Sequence, residues 1–502
     1  MRALTEPDYL ALRETHCAGL LLVGDRAYKF KKPVDFGFLD FSTPEKRADA
    51  CRREVQLNRR FSPDVYLGVA DLVLPGGEHE AVVVMRRMPD DRRLSTLVRA
   101  GADIGDALRH LAHQLAAAHA VTPRAAQIDE EAGLGRLRRR WDASFDQAMS
   151  LTPGILDRSV VTDVRLLTHR FLDGREALFK QRVDDGCAVD GHGDLMTDDV
   201  FCLDDGPRAL DCLEFDDRLR FLDRLDDACF LAMDLERLDA PELGAHFLGW
   251  FAEFSGDPAP PSLVHHYIAY RAFVRAKVAG LRADQGAPAA VEARRLADLA
   301  RGHLEAGAVA LILVGGAPGT GKTTVAGALA DRLGMVVLSS DRIRKELAGL
   351  DPETAAASAL HSGIYDTTHT ARTYAEMLRR ARLLLELGES VVLDASWGSV
   401  EHRAAARSLA VDTSSDLREL CCSAPEDVVV RRVTGRIGSA HLVSDADVDV
   451  ATALARGRAS WPQATVVDTR ADVVESVDAA TRLVRPLRLH EPRRHRSLMA
   501  PD

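Results

Sequence analysis

The sequence predicts two domains: an α+β domain made of a small β-rich lobe and a larger helical lobe, followed by an α/β domain with a parallel sheet. The chain has 502 residues, about three times the roughly 150 residues of a typical domain. Up to about residue 304, short strands give way to amphipathic helices. From residue 308 onward, buried strands alternate with helices, as in a parallel sheet covered by helices on both faces.

Composition and charge narrow the function classes. Hydrophobic residues make up 46% of the chain and charged residues 28%, which is enough to build cores and excludes wholesale disorder. No apolar run approaches the roughly 18–20 residues of a membrane-spanning helix, and the formal net charge of −11 argues against broad nucleic-acid binding. The eight cysteines form no CxxC pair, so neither a disulfide framework nor a zinc module is expected. The sequence starts without a secretory signal, and the expected compartment is the cytoplasm.

The elements of the first domain are predicted from turns and from periodicity. A Gly24-Asp25 turn joins two strands into a hairpin, and the Pro75–Gly77 turn separates a second pair of strands. The predicted elements are strands over Ala18–Val23 and Ala27–Lys32, a helix over Pro44–Arg60, strands over Val65–Leu74 and Glu80–Arg87, helices from Asp91 to Leu178, a strand-loop-strand region over Ala188–Arg218, and helices over Leu222–Leu304.

The second domain is predicted from the alternation of strands and helices, with a boundary near residue 305. We therefore expect one domain over residues 1–304 and another over residues 305–484. The last residues, 485–502, are rich in Arg, His and Pro and are expected to form a flexible tail. The predicted elements are strands over Ala308–Val314, Met335–Ser339, Ser390–Ala395 and Leu417–Ser423, and helices over Lys322–Leu333, Thr367–Leu387 and Glu401–Leu409.

The strongest motif in the chain is a phosphate-binding loop. Residues 316–323 read G-A-P-G-T-G-K-T, which matches G-x-x-x-x-G-K-[ST] between a predicted strand and a predicted helix. Glycines let backbone N–H groups curl around phosphate oxygens, the lysine reaches the β- and γ-phosphates, and the hydroxyl after it binds Mg²⁺. The alternative, an ordinary glycine turn between strand and helix, explains the motif less well. The expected nucleotide-binding residues are Gly316, Gly319, Gly321, Lys322, Thr323 and Thr324.

Polar residues near the same predicted sheet edge complete a site. Asp341 and Asp394 each end a predicted strand, and the carboxyl ends of parallel strands share the edge that carries the phosphate loop. A carboxylate there can accept a proton from a substrate hydroxyl or hold Mg²⁺ through water, and for Asp394 the metal role is one interpretation. Helix capping is the alternative role for both carboxylates. Arg432 and Arg436 lie four residues apart, which suits a lid over the transferring phosphate or, alternatively, a solvated helix face.

These residues resemble a known family. Residues 308–470 are similar to the small P-loop kinases that include gluconate kinase, chloramphenicol phosphotransferase, zeta toxin and the polynucleotide 5′-hydroxyl kinases. The SSDxxRKEL stretch and the paired arginines carry the resemblance. It implies that Asp341 is the base that activates the acceptor hydroxyl and that Arg432 and Arg436 form the lid.

A second constellation lies in the first domain. His192-Gly193-Asp194-Leu195, followed by Asp199 and Asp211, resembles the aminoglycoside phosphotransferase and choline kinase family, which has a protein-kinase-like fold. The resemblance implies that Asp194 is the catalytic base and that Asp199 and Asp211 hold Mg²⁺. The chain departs from the family's HGD-x₄-N pattern, because Asp199 stands where the family has asparagine.

The N-terminal lobe adds to this resemblance. Lys29, Lys31 and Lys32 are three of only eight lysines in the chain, and they occupy the strand where the family places its phosphate-binding lysine. Alternation puts Lys29 and Lys31 on one face of the strand, so the sequence does not choose between them. Glu54 on the following helix is the expected ion-pair partner.

Together the two resemblances imply a protein-kinase-like domain fused to a P-loop kinase domain. We expect an ATP- and Mg²⁺-dependent phosphotransferase that acts on a hydroxyl group of a small metabolite or an aminoglycoside-like molecule. One alternative is that the first half is a degenerate kinase that senses or scaffolds while the second half hydrolyses ATP. A further alternative is nucleic-acid 5′-hydroxyl phosphorylation by the second half.

Overall fold

The computed structural model describes most of the chain as two compact units. One unit comprises residues 1–172 and 176–307, and the other comprises residues 308–502 together with residues 173–175. The described residues are 10–14, 17–35, 40–73, 76–152, 154–283, 287–351, 363–434 and 459–484. None of the helices in these ranges combines the length and hydropathy that a membrane crossing requires.

The first unit begins with a five-stranded antiparallel sheet in the order β1-β2-β3-β5-β4. The tight turn at Gly24-Asp25 pairs Val23 with Arg26, as the hairpin pattern predicts. Helix α1 covers this sheet with the buried side chains of Cys51 and Val55. The elements are β1 (Leu10–Glu14), β2 (Ala18–Val23), β3 (Arg26–Lys31), α1 (Pro44–Asn58), β4 (Tyr66–Val73) and β5 (His79–Arg86).

The rest of this unit is helical, with two short antiparallel pairs of strands, β6 with β9 and β7 with β8. Its core lies between α3, α8 and α9, where Leu108, Leu111 and Leu115 of α3 are buried at the spacing of one helix face. The elements are α2 (Leu94–Arg99), α3 (Gly105–Ala120), α4 (Ala126–Ala132), α5 (Leu134–Ser150), α6 (Arg158–Asp173), α7 (Glu176–Asp184), β6 (Ala188–Asp190), β7 (Val200–Leu203), β8 (Gly206–Ala209), β9 (Phe221–Asp223), α8 (Arg224–Arg237), α9 (Pro241–Ser255), α10 (Pro261–Leu281) and α11 (Ala287–Ala306).

The second unit contains a five-stranded sheet in which all neighbouring strands are parallel, in the order β11-β12-β10-β13-β14. The central strand β10 is buried along its whole length, as a strand covered on both faces must be. The elements are β10 (Ala310–Gly315), α12 (Lys322–Leu333), β11 (Val336–Ser339), α13 (Ser340–Leu347), α14 (Thr367–Glu386), β12 (Val391–Asp394), α15 (Val400–Asp412), β13 (Asp416–Ser423), α16 (Glu426–Thr434), β14 (Thr465–Asp468) and α17 (Val473–Val484).

The predicted fold class is confirmed, with differences at a few elements. The sequence patterns missed the edge strands β1 and β14, because short edge strands carry little alternation. The placement of Asp341 at a strand end is wrong. Strand β11 ends at Ser339, and Asp341 lies in the first turn of α13. The predicted tail lies outside the described residues.

Candidate functional site

The phosphate loop connects the central strand to a helix, as its motif requires. Strand β10 ends at Gly315, and α12 begins at Lys322. Gly321 precedes α12 in a left-handed conformation and gives the helix no side-chain cap. The first N–H groups of α12 therefore have no capping side chain, and such groups bind phosphate oxygens. Thr323 and Thr324 are exposed in the first turn of α12.

Gly319 in this loop is held against helix α16. Its φ of +82° lies in the left-handed region, where a side chain costs roughly 1–2 kcal/mol. A Cβ atom on Gly319 would stand 2.9 Å from both the Cγ1 of Val429 and the Cγ2 of Val433. Helix α16 therefore packs so closely on the phosphate loop that a side chain at Gly319 would clash with it.

Asp394 ends β12 beside the phosphate loop, in register with Val314 of β10 and Ser339 of β11. It is 3% exposed, and its Oδ1 has no hydrogen-bond partner among the described residues. Burial raises the pKa of Asp394, while the charge of Lys322 and a hydrogen bond with Thr323 oppose that rise. A buried carboxylate oxygen near the P-loop threonine fits a magnesium ion that keeps several of its waters.

Asp341 shares this edge of the sheet. The N-cap of α13 is Ser339, so Asp341 is not the helix cap that the sequence left as an alternative. Asp341 is half-buried. Burial is the main cause that raises the pKa of Asp394, and the negative charge of Asp341 adds to it. The two carboxylates are thus close enough to influence each other. This proximity allows one to receive a proton while the other supports a metal ion.

A buried arginine lies one helical turn beyond Asp341. Arg344 is 6% exposed, and its Nη1 donates to the Ile364 carbonyl and to the Thr370 hydroxyl, each at 3.0 Å. Its Nε has no hydrogen-bond partner among the described residues. The SSDxxRKEL stretch contains Arg344, but the sequence predicts no role for it, because its burial against Ile364 and Thr370 depends on the fold.

Arg432 lies at the phosphate loop. Its Nη2 donates to the Thr469 carbonyl at 2.7 Å, and the Thr469 hydroxyl donates to the Thr320 carbonyl in the loop at 2.7 Å. The Nη1 of Arg432 would be 3.7 Å from a Cβ atom added to Gly321. Arg432 therefore lies beside the loop that is expected to bind the phosphates. Arg436 lies outside the described residues.

In the first unit, two lysines meet one carboxylate. The Nζ of Lys29 lies 2.8 Å from Glu54 Oε1, and the Nζ of Lys31 lies 2.6 Å from Glu54 Oε2. Lys29 also reaches Asp211 Oδ1 at 2.7 Å, whereas Lys31 pairs with Glu214. Burial alone would lower the pKa of Lys29, but the charges of Asp211 and Glu54 outweigh it and raise the pKa well above its usual range. Lys29 is therefore the lysine that faces the candidate metal ligand.

Asp227 on α8 holds the loop that carries the candidate base Asp194. Its Oδ2 accepts the His192 N–H at 2.7 Å and its Oδ1 accepts the Gly193 N–H at 2.8 Å. Its Oδ2 also lies 2.9 Å from His119 Nε2. Asp227 is fully buried. No motif marks Asp227 for this role, because it stands in an ordinary helical pattern 33 residues after Asp194.

Asp194, Asp199 and Asp211 form one electrostatic cluster. Burial raises the pKa of Asp199 well above its usual range, and the charges of Asp211 and Asp194 add to that effect. Burial also acts to raise the pKa of Asp211, but Lys29 outweighs it and lowers the pKa. Asp211 has a left-handed backbone with φ of +61°, and its N–H donates to the Tyr66 hydroxyl at 3.1 Å. The structure thus brings together the residues that the motif singled out.

In the part of the chain that the structure describes, neither site surrounds a metal position with protein ligands alone. Within the described residues, no group of three or more His, Cys, Asp and Glu side chains is arranged to hold a metal ion. Magnesium in phosphoryl-transfer enzymes takes one or two carboxylates and completes its shell with waters and substrate phosphates. Asp199 and Asp211 in the first unit, and Thr323 and Asp394 in the second, fit that kind of site.

Known proteins are similar to nearly the whole chain, and a known domain family matches part of its second half. The AAA domain family matches residues 311–458, which include the phosphate loop. The uncharacterized protein Rv2004c of Mycobacterium tuberculosis (strain H37Rv) is 45% identical over 479 residues, covering 95% of this chain and 96% of that protein. The uncharacterized protein Mb2027c of Mycobacterium bovis has the same identity and coverage.

Three solved structures show more distant likenesses. A choline/ethanolamine kinase family protein from Mesorhizobium loti is 13% identical, with 61% of this chain and 90% of that chain covered and a TM-score of 0.38. The APS kinase CysC of Mycobacterium tuberculosis is 20% identical, with coverages of 36% and 99% and a TM-score of 0.27. A gluconokinase from Sinorhizobium meliloti 1021 is 18% identical, with coverages of 35% and 90% and a TM-score of 0.25.

Proposed function

The chain belongs to the family of the uncharacterized proteins Rv2004c and Mb2027c, and we propose that it transfers the γ-phosphate of ATP to a hydroxyl group of a small molecule. The observation that carries the proposal is the arrangement at one edge of the parallel sheet. There the P-loop, the half-buried Asp341 and the buried Asp394, whose Oδ1 has no hydrogen-bond partner among the described residues, lie together. Phosphoryl transfer needs these three parts: a phosphate cradle, a metal support and a group that accepts the hydroxyl proton.

Each residue of the P-loop half has a role in the proposed reaction. Lys322 would bind the β- and γ-phosphates, and Thr323 and Asp394 would hold Mg²⁺, which offsets phosphate charge when it is bound. Asp341 would orient the acceptor hydroxyl and take its proton. Arg432, already bonded to the Thr469 carbonyl, would contribute positive charge beside the phosphates.

Replacement of Asp341 separates nucleotide binding from chemistry. We expect Asp341→Asn to keep the affinity for Mg²⁺-ATP and to lose phosphoryl transfer by roughly 10²-fold or more, because the amide cannot accept the hydroxyl proton. A phosphorylation screen of metabolites, aminoglycosides and 5′-hydroxyl oligonucleotides with the full chain identifies the acceptor, and the kcat for that acceptor is then compared between variants.

A matched control for Asp341 lies on α12. Asp331 is exposed there, and Asp331→Asn removes the same charge away from the sheet edge. The assignment of Asp341 as the base is wrong if Asp341→Asn and Asp331→Asn turn over the acceptor equally fast. If oligonucleotides are the only acceptors in the screen, the function is nucleic-acid phosphorylation instead.

The first unit would supply a second nucleotide site, with Asp194 as base, Lys29 on the phosphates, and Asp199 and Asp211 as metal ligands. Asp199 is a third carboxylate, at a position where the aminoglycoside phosphotransferase and choline kinase family has an amide. The added negative charge increases the need for a divalent cation. The alternative, a degenerate sensing domain, rests on this substitution and on Met196, the residue that follows the HGDL motif.

Two substitutions test whether this second site binds nucleotide through metal. In a full chain that carries Lys322→Ala, so that the P-loop is silenced, we expect Asp199→Asn to keep or raise ATP binding at low Mg²⁺. We expect Asp211→Ala to lose binding at every Mg²⁺ concentration. Thermal-shift titrations measure the effect, because a ligand at a hundred times its dissociation constant stabilises the fold by about 2.7 kcal/mol.

The sensing alternative predicts a different pattern in those titrations. ATP would then produce no shift, or a shift that does not depend on Mg²⁺, and Asp211→Ala would change nothing.

A further inference from the structure

An arginine from a distant helix faces the candidate base of the first unit. The Nη1 of Arg275 on α10 lies 3.9 Å from Asp194 Oδ1, and the two side chains are 24% and 39% exposed. The loop itself supplies no cation there, because the four residues between Asp194 and Asp199 are Leu, Met, Thr and Asp. Arg275 therefore brings positive charge to a position that the sequence motif leaves negative.

Adjacent residues of α8 fix this arginine relative to the base. Asp227 binds the backbone of the loop before Asp194, as described above. The preceding residue, Asp226, accepts two hydrogen bonds of 2.7 Å from Arg271, which stands on α10 one turn before Arg275. Asp226 and Arg271 are buried. Asp226 and Asp227 thus anchor both the loop that carries the base and the helix that carries Arg275. A charge that is held in place before the reaction stabilises the charge that develops in the transition state.

The other nearby cations already have partners. Both amino groups on β3 are paired with carboxylates, and Lys29 in particular bonds Glu54 and Asp211. Arg271 is locked in its two bonds to Asp226. Arg275 is more exposed than Arg271, so its guanidinium is able to turn from Asp194 to a phosphate group.

We propose that Arg275 is a further catalytic residue of the first unit, where its guanidinium contacts the γ-phosphoryl group during transfer. The proposal rests on the proposed phosphotransferase function of that unit. In the step, the acceptor oxygen bonds to the γ-phosphorus, the bond from that phosphorus to the β–γ bridging oxygen breaks, the acceptor proton passes to Asp194, and ADP leaves. Negative charge on the equatorial oxygens is then stabilised by Arg275, as an arginine stabilises it in other phosphoryl-transfer sites.

The test compares a ground-state ligand with a mimic of the transferring phosphoryl group. Full chains carrying Lys322→Ala are titrated with Mg²⁺-ADP, with and without aluminium fluoride, and the affinities are measured by calorimetry. We expect Arg275→Met to weaken binding of the aluminium fluoride complex by at least about tenfold and binding of ADP alone by less than about twofold. Arg275→Lys restores part of the loss, because it keeps the charge without the planar fork.

The control is Arg282→Met, since Arg282 is exposed at the end of the same helix and should leave both affinities unchanged. Equal loss of ADP and aluminium fluoride affinity in Arg275→Met would show that Arg275 only supports the fold. An unchanged aluminium fluoride affinity would overturn the proposal and point to an acceptor contact. If the parent chain does not bind Mg²⁺-ADP, the proposed function of this unit fails, and the role of Arg275 fails with it.

Discussion

Lys322→Ala is expected to remove one nucleotide site from the chain. Calorimetry of the full-length protein should show that the number of Mg²⁺-ATP molecules bound per chain falls by one, or that the affinity of that site falls by roughly 10²-fold or more. The reason is that Lys322 supplies the positive charge at the start of α12 that the β- and γ-phosphates require. Thr323→Ala should have the same effect on the magnesium complex, because it removes the hydroxyl that binds the metal.

A surface lysine provides the control for this experiment. Lys180 is 74% exposed and pairs only weakly with Asp184 one turn away on its helix. Lys180→Ala should therefore leave the stoichiometry and the affinity unchanged. Undiminished binding in Lys322→Ala would refute the P-loop assignment and, with it, the proposed reaction at the parallel sheet.

Asp227→Ala is expected to destabilise the first unit by about 3–5 kcal/mol. The change leaves the backbone N–H groups of His192 and Gly193 without their acceptor in a fully buried place, and His119 loses its partner as well. Urea unfolding of the full chain, followed by hydrogen exchange in peptides from the first unit, measures the loss. Peptides that span the 188–203 region should be affected most.

The pH dependence of stability tests the same contacts with a milder variant. Burial would raise the pKa of Asp227, but its hydrogen bonds to His119 and His192 outweigh burial and hold the pKa well below its usual range. Because the folded pKa is below the unfolded value of about 3.9, the ionised carboxylate stabilises the fold above that pH. This contribution is lost as the pH falls toward the folded pKa.

The stability difference between the parent chain and Asp227→Asn should therefore be constant near neutral pH and shrink below about pH 4. A difference that stays constant down to pH 3 would mean that Asp227 does not hold the loop through its charge.

Local patterns in the sequence were sufficient to predict most of the fold. The strand–glycine–helix order around Lys322 is a local property, and the buried β10 is a local run of apolar residues. Alternation along β3 correctly placed Lys29 and Lys31 on one face, since both contact Glu54. It did not choose between them, because a period of two residues puts both on that face. Their second partners distinguish them, because Lys29 contacts Asp211 and Lys31 contacts Glu214.

Contacts between distant parts of the chain account for what the sequence did not show. Asp227 and Arg275 stand in helices whose apolar patterns predict only burial, yet the fold brings them to Asp194 from 33 and 81 residues away. Arg344 also owes its burial to residues distant in the sequence, those around Thr370. Such positions are found from a sequence only when the fold is already known.

The contact between Gly319 and helix α16 also limits how this chain can evolve. A side chain at Gly319 is excluded twice, by its left-handed backbone and by Val429 and Val433, which would lie 2.9 Å from the added Cβ. Smaller residues at 429 and 433 would relieve the steric clash but not the backbone strain, which depends on φ alone. Substitutions on α16 therefore cannot remove the backbone strain that a side chain at Gly319 would carry, and any lineage that leaves glycine here bears that strain whatever residues stand at 429 and 433.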